Sequence, residues 1–173
     1  MRRYSEAVKA DVRRRMSPPH RRFRIDWVLV DELAIGPAPR AERHLYRVAE
    51  AGVRSVLSLC SEQEAPPPPG LCDCFPSARL GLPDHRAGRL PEPAELNAAL
   101  ALLAQLHQEH GALFVHCVAA MERSPLVCLA WLVQRHRLTP ERALDYLMQV
   151  HPGTNPLPGQ LALLHHVQAT AVP

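Results

Sequence analysis

The chain has 173 residues, enough for one domain with a substantial hydrophobic core. Its net charge of +3 is unevenly placed: residues 1–24 carry nine Lys/Arg against Glu6 and Asp11, and the remainder is net acidic. The body of the protein is therefore a poor match for nucleic acid, and any such contact belongs to the basic N-terminal arm.

No apolar run is long enough to span a membrane, and the basic start leads into no apolar h-region of a secretory signal. Five cysteines, an odd number, fit free thiols in a reducing compartment, so the expected location is the cytoplasm. Residues 1–22 form a basic extension, predicted as a helix with Ser5 as N-cap and Pro18-Pro19 as its stop. The opening resembles the first helix of the helix-turn-helix region of insertion-sequence transposases, but no recognition helix follows it.

Residues 23–173 read as a single α/β domain. "DWVLV" and "LAIG" are short β-type runs separated by Asp31-Glu32, the pattern of an edge hairpin. "PRAERHLYRVAEAG" is an amphipathic helix with Leu45, Val48 and Ala49 on one face and Gly52 at its end. "VRSVLSLC" is a nearly continuous apolar strand of the kind buried in parallel sheets. "SEQEAPPPPGLCDCFPS" reads as a rigid, proline-rich loop rather than a polyproline ligand. Cys60, Cys72 and Cys74 lack zinc-site spacing, so neither metal nor other cofactor is expected.

"ARLGL" is a further strand, ending at Pro83-Asp84. The next helix runs through "PEPAELNAALALLAQLHQEHG", with Glu92 and Glu95 at its start and Leu96, Leu100, Leu103 and Leu106 as its core stripe. "ALFVH" is a buried strand, followed by an apolar helix from Ser124 with Pro125 in its first turn. Thr139 and Pro140 open another helix, and "QLALLHHVQA" closes the chain as the last. Strands alternating with helices predict a three-layer sandwich, a mostly parallel sheet with helices on both faces.

In such a fold, ligands gather at the carboxyl ends of strands beside helix N-termini. Cys117 sits at such a junction. The amides of Val118, Ala119, Ala120, Met121, Glu122 and Arg123 offer an anion nest, and a cysteine placed there is favoured as the thiolate. Arg123 supplies a planar fork for two phosphate oxygens. The spacing Cys-x5-Arg recurs by chance. Its weight comes from the strand before it, from His116 and Ser124, from the helix after it, and from Pro83-Asp84 one helix and one strand upstream.

"VHCVAAMERSP" resembles the H-C-x-x-G-x-x-R-S/T signature of cysteine-based protein phosphatases, specifically the dual-specificity branch. "RIDWVLVDELAIGPAP" is similar to the opening hairpin of that family, and "LPDH" to the segment bearing its general acid. "SPLVCLAWLVQRHRLTPERALDYLMQVHPGTNP", with "PGQLALL" after it, is similar to the C-terminal helices. The resemblance implies a protein tyrosine phosphatase-like fold and a phosphomonoester hydrolase working through a phosphocysteine. It makes Cys117 the nucleophile, Arg123 and the loop amides the phosphate binders, and Asp84 the general acid. Ser124 would assist the departing thiolate, while His116 and Asn155 would support the loop. Phosphorylated Tyr, Ser or Thr side chains of proteins would be the substrates. Glu92 and Asp73 are poorer candidates for the acid, and Cys128 reads as core or as a redox partner of Cys117.

Two positions depart from the signature. Ala120 stands at its glycine, costing about 1–2 kcal/mol if the residue is left-handed. Glu122 places a carboxylate beside the anion, and a solvent-facing pose is expected because only its backbone is needed. Held inward, Glu122 would favour a catalytically weak phosphate-binding scaffold. A phosphatase for a phosphoinositide, sugar or RNA end is the other alternative.

Overall fold

The computed structural model describes residues 23–167. The basic helix expected within residues 1–22 lies outside them. The elements in chain order are β1 (Asp26–Leu29), β2 (Leu33–Pro37), α1 (Glu42–Glu50), β3 (Ser55–Ser58), α2 (Leu71–Cys74), β4 (Ser77–Arg79), α3 (Pro93–His110), β5 (Leu113–Cys117), α4 (Arg123–His136), α5 (Pro140–Val150) and α6 (Pro158–Leu163). A 3-10 turn over Leu164–His166 follows α6.

The five strands lie in the order β1-β2-β5-β3-β4. β1 and β2 form the antiparallel edge hairpin, turning through Asp31 at φ 60°, and every other pairing is parallel. β5 is thus the central strand, flanked by β2 and β3, and its five residues are all buried. A strand covered on both faces has no use for polar alternation, which is why "LFVHC" is nearly all apolar.

Alternation along β5 assigns the two faces. Leu113, Val115 and Cys117 point into the larger core, built with the stripe of α3 and with α4. Phe114 points into the smaller one, with Leu45 and Val48 of α1, Leu71 of α2 and Phe23. α4 packs into the sheet so completely that every residue from Arg123 to Leu132 is buried. Its Trp131 is 1% exposed and satisfies the indole N–H on Glu32 Oε1 at 2.7 Å. The fold is the expected three-layer sandwich.

Three local differences are small. β4 covers Ser77–Arg79, so the "LGL" expected in that strand lies in the loop after it. The proline-rich loop contains the short helix α2, opened by Gly70 at φ 83°, and the last helix tightens into a 3-10 turn. Among the described residues no helix is long and apolar enough to cross a membrane.

Removing the side chain that locks α4 to the sheet leaves a cavity that a packed core closes only in part. Trp131→Ala is expected to lower unfolding stability by about 3–5 kcal/mol, read from denaturant midpoints.

Candidate active site

β5 ends at Cys117 and α4 begins at Arg123, so residues 118–122 must reverse the chain within one short loop. The reversal runs through Ala120 at φ 55°, the left-handed conformation anticipated for the position where the signature has glycine. A Cβ there is strained by about 1–2 kcal/mol, so the rest of the structure has to hold it.

It is held from outside. The carbonyl of Val118 accepts from Ala38 N–H at 3.2 Å, that of Met121 from Asn155 N–H at 2.7 Å, and that of Glu122 from Leu126 N–H at 3.0 Å. The Ala120 carbonyl accepts from His151 Nε2 at 2.7 Å. In a trans peptide the N–H points opposite to its C=O, and no cis bond is present among the described residues. Tying these four carbonyls outward therefore turns the amides of Ala119, Met121, Glu122 and Arg123 toward the loop interior. His116 Nδ1 does the same for the Cys117 carbonyl at 3.3 Å, and hence for the Val118 amide. The nest is thus a consequence of where the carbonyls are anchored.

Cys117 is 3% exposed, and Ser124 Oγ donates to its sulfur at 3.2 Å. Arg123 is equally buried. Its Nη1 and Nη2 take Glu64 Oε2 and Oε1 at 3.1 and 2.9 Å, and Nη1 also donates to the Leu82 carbonyl at 3.1 Å. Burial works most strongly against the guanidinium charge, but the Glu64 bonds together with the nearby charges of Cys117, Glu64 and Cys60 leave its pKa raised. Hydrogen bonding to Arg123 in turn holds the Glu64 carboxyl below its usual range. Glu64 occupies only the Nη1–Nη2 edge. The Nε–Nη2 edge keeps its fork, and Nε, buried, has no partner among the described residues.

Asp84 lies in the same cavity of about 410 Å³ as Cys117 and Arg123, with Nη2 of Arg123 4.0 Å from its Oδ2. Desolvation pushes its pKa up, but three bonds from the Arg86 backbone and guanidinium, at 2.8–3.0 Å, leave it lowered. His116 is driven by burial to about 4, with a weak counter-effect from the Cys117 carbonyl, so it is neutral at pH 7 and exchanges no proton there. Asn155 lines the cavity and braces the loop through its backbone amide. Cys128 is fully buried, and burial pushes its thiol pKa far up.

The outward pose expected for Glu122 is corrected. Its carboxylate is 13% exposed and fastened at both oxygens, to His85 Nδ1 at 2.9 Å and to Gln160 Nε2 at 2.7 Å. These partners stand 37 and 38 residues away, too far for local pattern to reveal. Sequence reasoning also missed Glu64, Arg86, Asp26 and His151. His151 sits between the Ala120 carbonyl and Asp26 Oδ2, 2.7 Å from each. The signal for Glu64 was an acid just after a buried parallel strand, at the sheet end where Cys117 was already placed.

A family model, "Dual specificity phosphatase, catalytic domain", matches residues 83–170, just over half the chain. The chain belongs to that family. The mouse protein named dual specificity protein phosphatase 12 is 33% identical over 104 residues, covering 60% of this chain and 30% of that protein. The chain thus spans less than a third of that relative. The human phosphatidylglycerophosphatase and protein-tyrosine phosphatase 1 is 26% identical over 156 residues, 84% of this chain and 76% of that one. The crystal structure of Tk-PTP in the active form superposes with a TM-score of 0.72 at 22% identity, covering 85% of this chain and 97% of that one, which shows the shared fold.

His116 gives the site a pH signature in stability. Its folded pKa lies below the usual histidine value, so the unfolded chain binds more protons between about 6.5 and 4. Stability is expected to fall by up to about 3 kcal/mol as pH drops through that window and to be level with respect to His116 above it. Chemical denaturation at pH 7 and pH 5 tests this, and His116→Asn should remove that share of the slope.

Proposed function

We propose that the protein is a cysteine-dependent phosphomonoester hydrolase acting on phosphorylated protein side chains. The observation that carries this reading is the one cavity in which Cys117, the open edge of Arg123 and Asp84 meet. Cys117 attacks phosphorus as thiolate, the bond to the leaving oxygen breaks, and Asp84 gives that oxygen its proton. The equatorial oxygens are held by the Nε–Nη2 edge of Arg123 and by the inward amides of the 118–123 loop. Water then attacks phosphorus, Asp84 takes its proton, and the Cys117 sulfur leaves as thiolate with release of inorganic phosphate, its charge stabilised by the hydrogen bond that the Ser124 hydroxyl donates. His116 and Asn155 support the loop. The five free cysteines among the described residues suit the cytoplasm, where a nucleophilic thiol stays reduced.

A second reading takes a phospholipid headgroup as substrate. A larger cavity of about 580 Å³ adjoins the first, sharing Val118, Ala119 and Met121 with it. Its lining includes Phe23, Pro37, Pro152, Arg24 and Arg40, which suits a leaving group with apolar and anionic parts. The name of the human relative points the same way. Comparing phosphotyrosine peptide with phospholipid vesicles separates the two. Arg40→Ala should raise KM for the vesicles if the second reading holds and leave the peptide unaffected.

Cys117→Ser is expected to bring aryl phosphate hydrolysis to background. Equal rates for wild type and variant would instead mark a phosphate-binding scaffold. Asp84 must be protonated to donate, so the rate should fall as pH rises through its pKa. Arg86→Ala removes the main partner holding that pKa down and should move the fall to higher pH, while Asp84→Asn should lower the rate about 100-fold or more and abolish that limb.

A further inference from the structure

Glu122 is the N-cap residue of α4, yet its side chain makes no capping bond. A carboxylate at that position ordinarily accepts from the first free amides of its own helix. Here Oε2 instead takes the backbone N–H of His85 at 3.4 Å and its ring Nδ1 at 2.9 Å, while Oε1 takes Gln160 at 2.7 Å. His85 follows Asp84 directly. The segment on which both sit is weakly attached. Leu82 is fixed by its amide on Leu59 and its carbonyl on Arg123. Beyond it, the Arg86 and Ala87 bonds return to Asp84 itself. Among the described residues, the bonds that leave segment 83–88 are those from His85 to Glu122 and the 4.0 Å pair of Asp84 with Arg123.

We infer that Glu122 is a positioning residue for the general acid: its carboxylate clasps the Asp84-His85 segment to the phosphate-binding loop and to α6. The departure from the family signature thereby acquires a use. Both carboxylate oxygens are already engaged, by His85 and Gln160, and the same bonds set where Asp84 stands. Gln160 is 1% exposed and opens its own helix by accepting from Leu157 N–H at 2.9 Å, so it offers Glu122 a fixed anchor. The clasp spans three stretches of chain that share no local sequence.

The inference rests on Asp84 being the acid, and it is tested by two readouts. A leaving group of high pKa needs a proton from the acid, whereas an activated aryl leaving group needs it far less. Releasing the clasp should therefore lower kcat for an alkyl phosphate more than for an aryl phosphate, changing their ratio about tenfold in Glu122→Ala. His85→Ala should change the ratio in the same direction without adding to the effect in the double variant, and Glu122→Gln, which keeps an oxygen acceptor, should recover most of it. Independently of turnover, amide exchange at His85 should speed up about tenfold in Glu122→Ala and return toward wild type in Glu122→Gln. Equal losses on both substrates, or unchanged exchange at His85, would overturn the clasp. A wild type that hydrolyses neither substrate would remove the proposed activity, and the exchange measurement alone would then decide whether the clasp exists.

Discussion

The hydrogen bond from His151 to the Ala120 carbonyl is the contact on which the site depends. A strand must hand over to a helix within five residues, and one of them has to adopt a left-handed conformation that its Cβ disfavours. His151 Nε2 donates, since a carbonyl oxygen only accepts, and Nδ1 stands 2.7 Å from the Asp26 carboxylate. Asp26 belongs to the edge strand, and His151 caps the end of α5. Sheet edge and helix end therefore converge on one peptide group. With that group fixed and its neighbours tied outward, the amides have one direction left, toward the space above Cys117.

The charges around the cavity are arranged on the same principle, each held by a partner within the protein. Glu64 fills one edge of Arg123 and leaves the other for an anion. Arg86 engages Asp84 through its backbone amide and its guanidinium. Glu122, the acid that looked hostile to phosphate binding, is turned to His85 and Gln160. Such an arrangement keeps buried charge paired while the free positive potential points at one place.

Much of this was legible in the sequence, because it is written in short-range pattern. The buried strand "ALFVH", the loop after it and Pro125 in the first turn of α4 locate Cys117, Arg123 and Ser124 without any tertiary information. Asp84 was picked out by its place after an expected strand end, although β4 stops at Arg79 and the chain reaches Asp84 through a loop. What local pattern does not carry is which distant side chains arrive at the loop. Glu64, His151 and Gln160 are ordinary polar residues in their own segments, and their roles exist only once β3, α5 and α6 converge. The direction of Glu122 failed for that reason: the expectation weighed solvent against phosphate, and neither is its partner.

The central claim is that Cys117 becomes covalently phosphorylated during turnover. Acid quenching of the enzyme during hydrolysis of an aryl phosphate, followed by mass spectrometry of its peptides, tests this directly. The phosphate is predicted on the peptide carrying Cys117, with nothing there in Cys117→Ser. Turnover with no phosphate on Cys117, or with phosphate bound to another residue, would contradict the account.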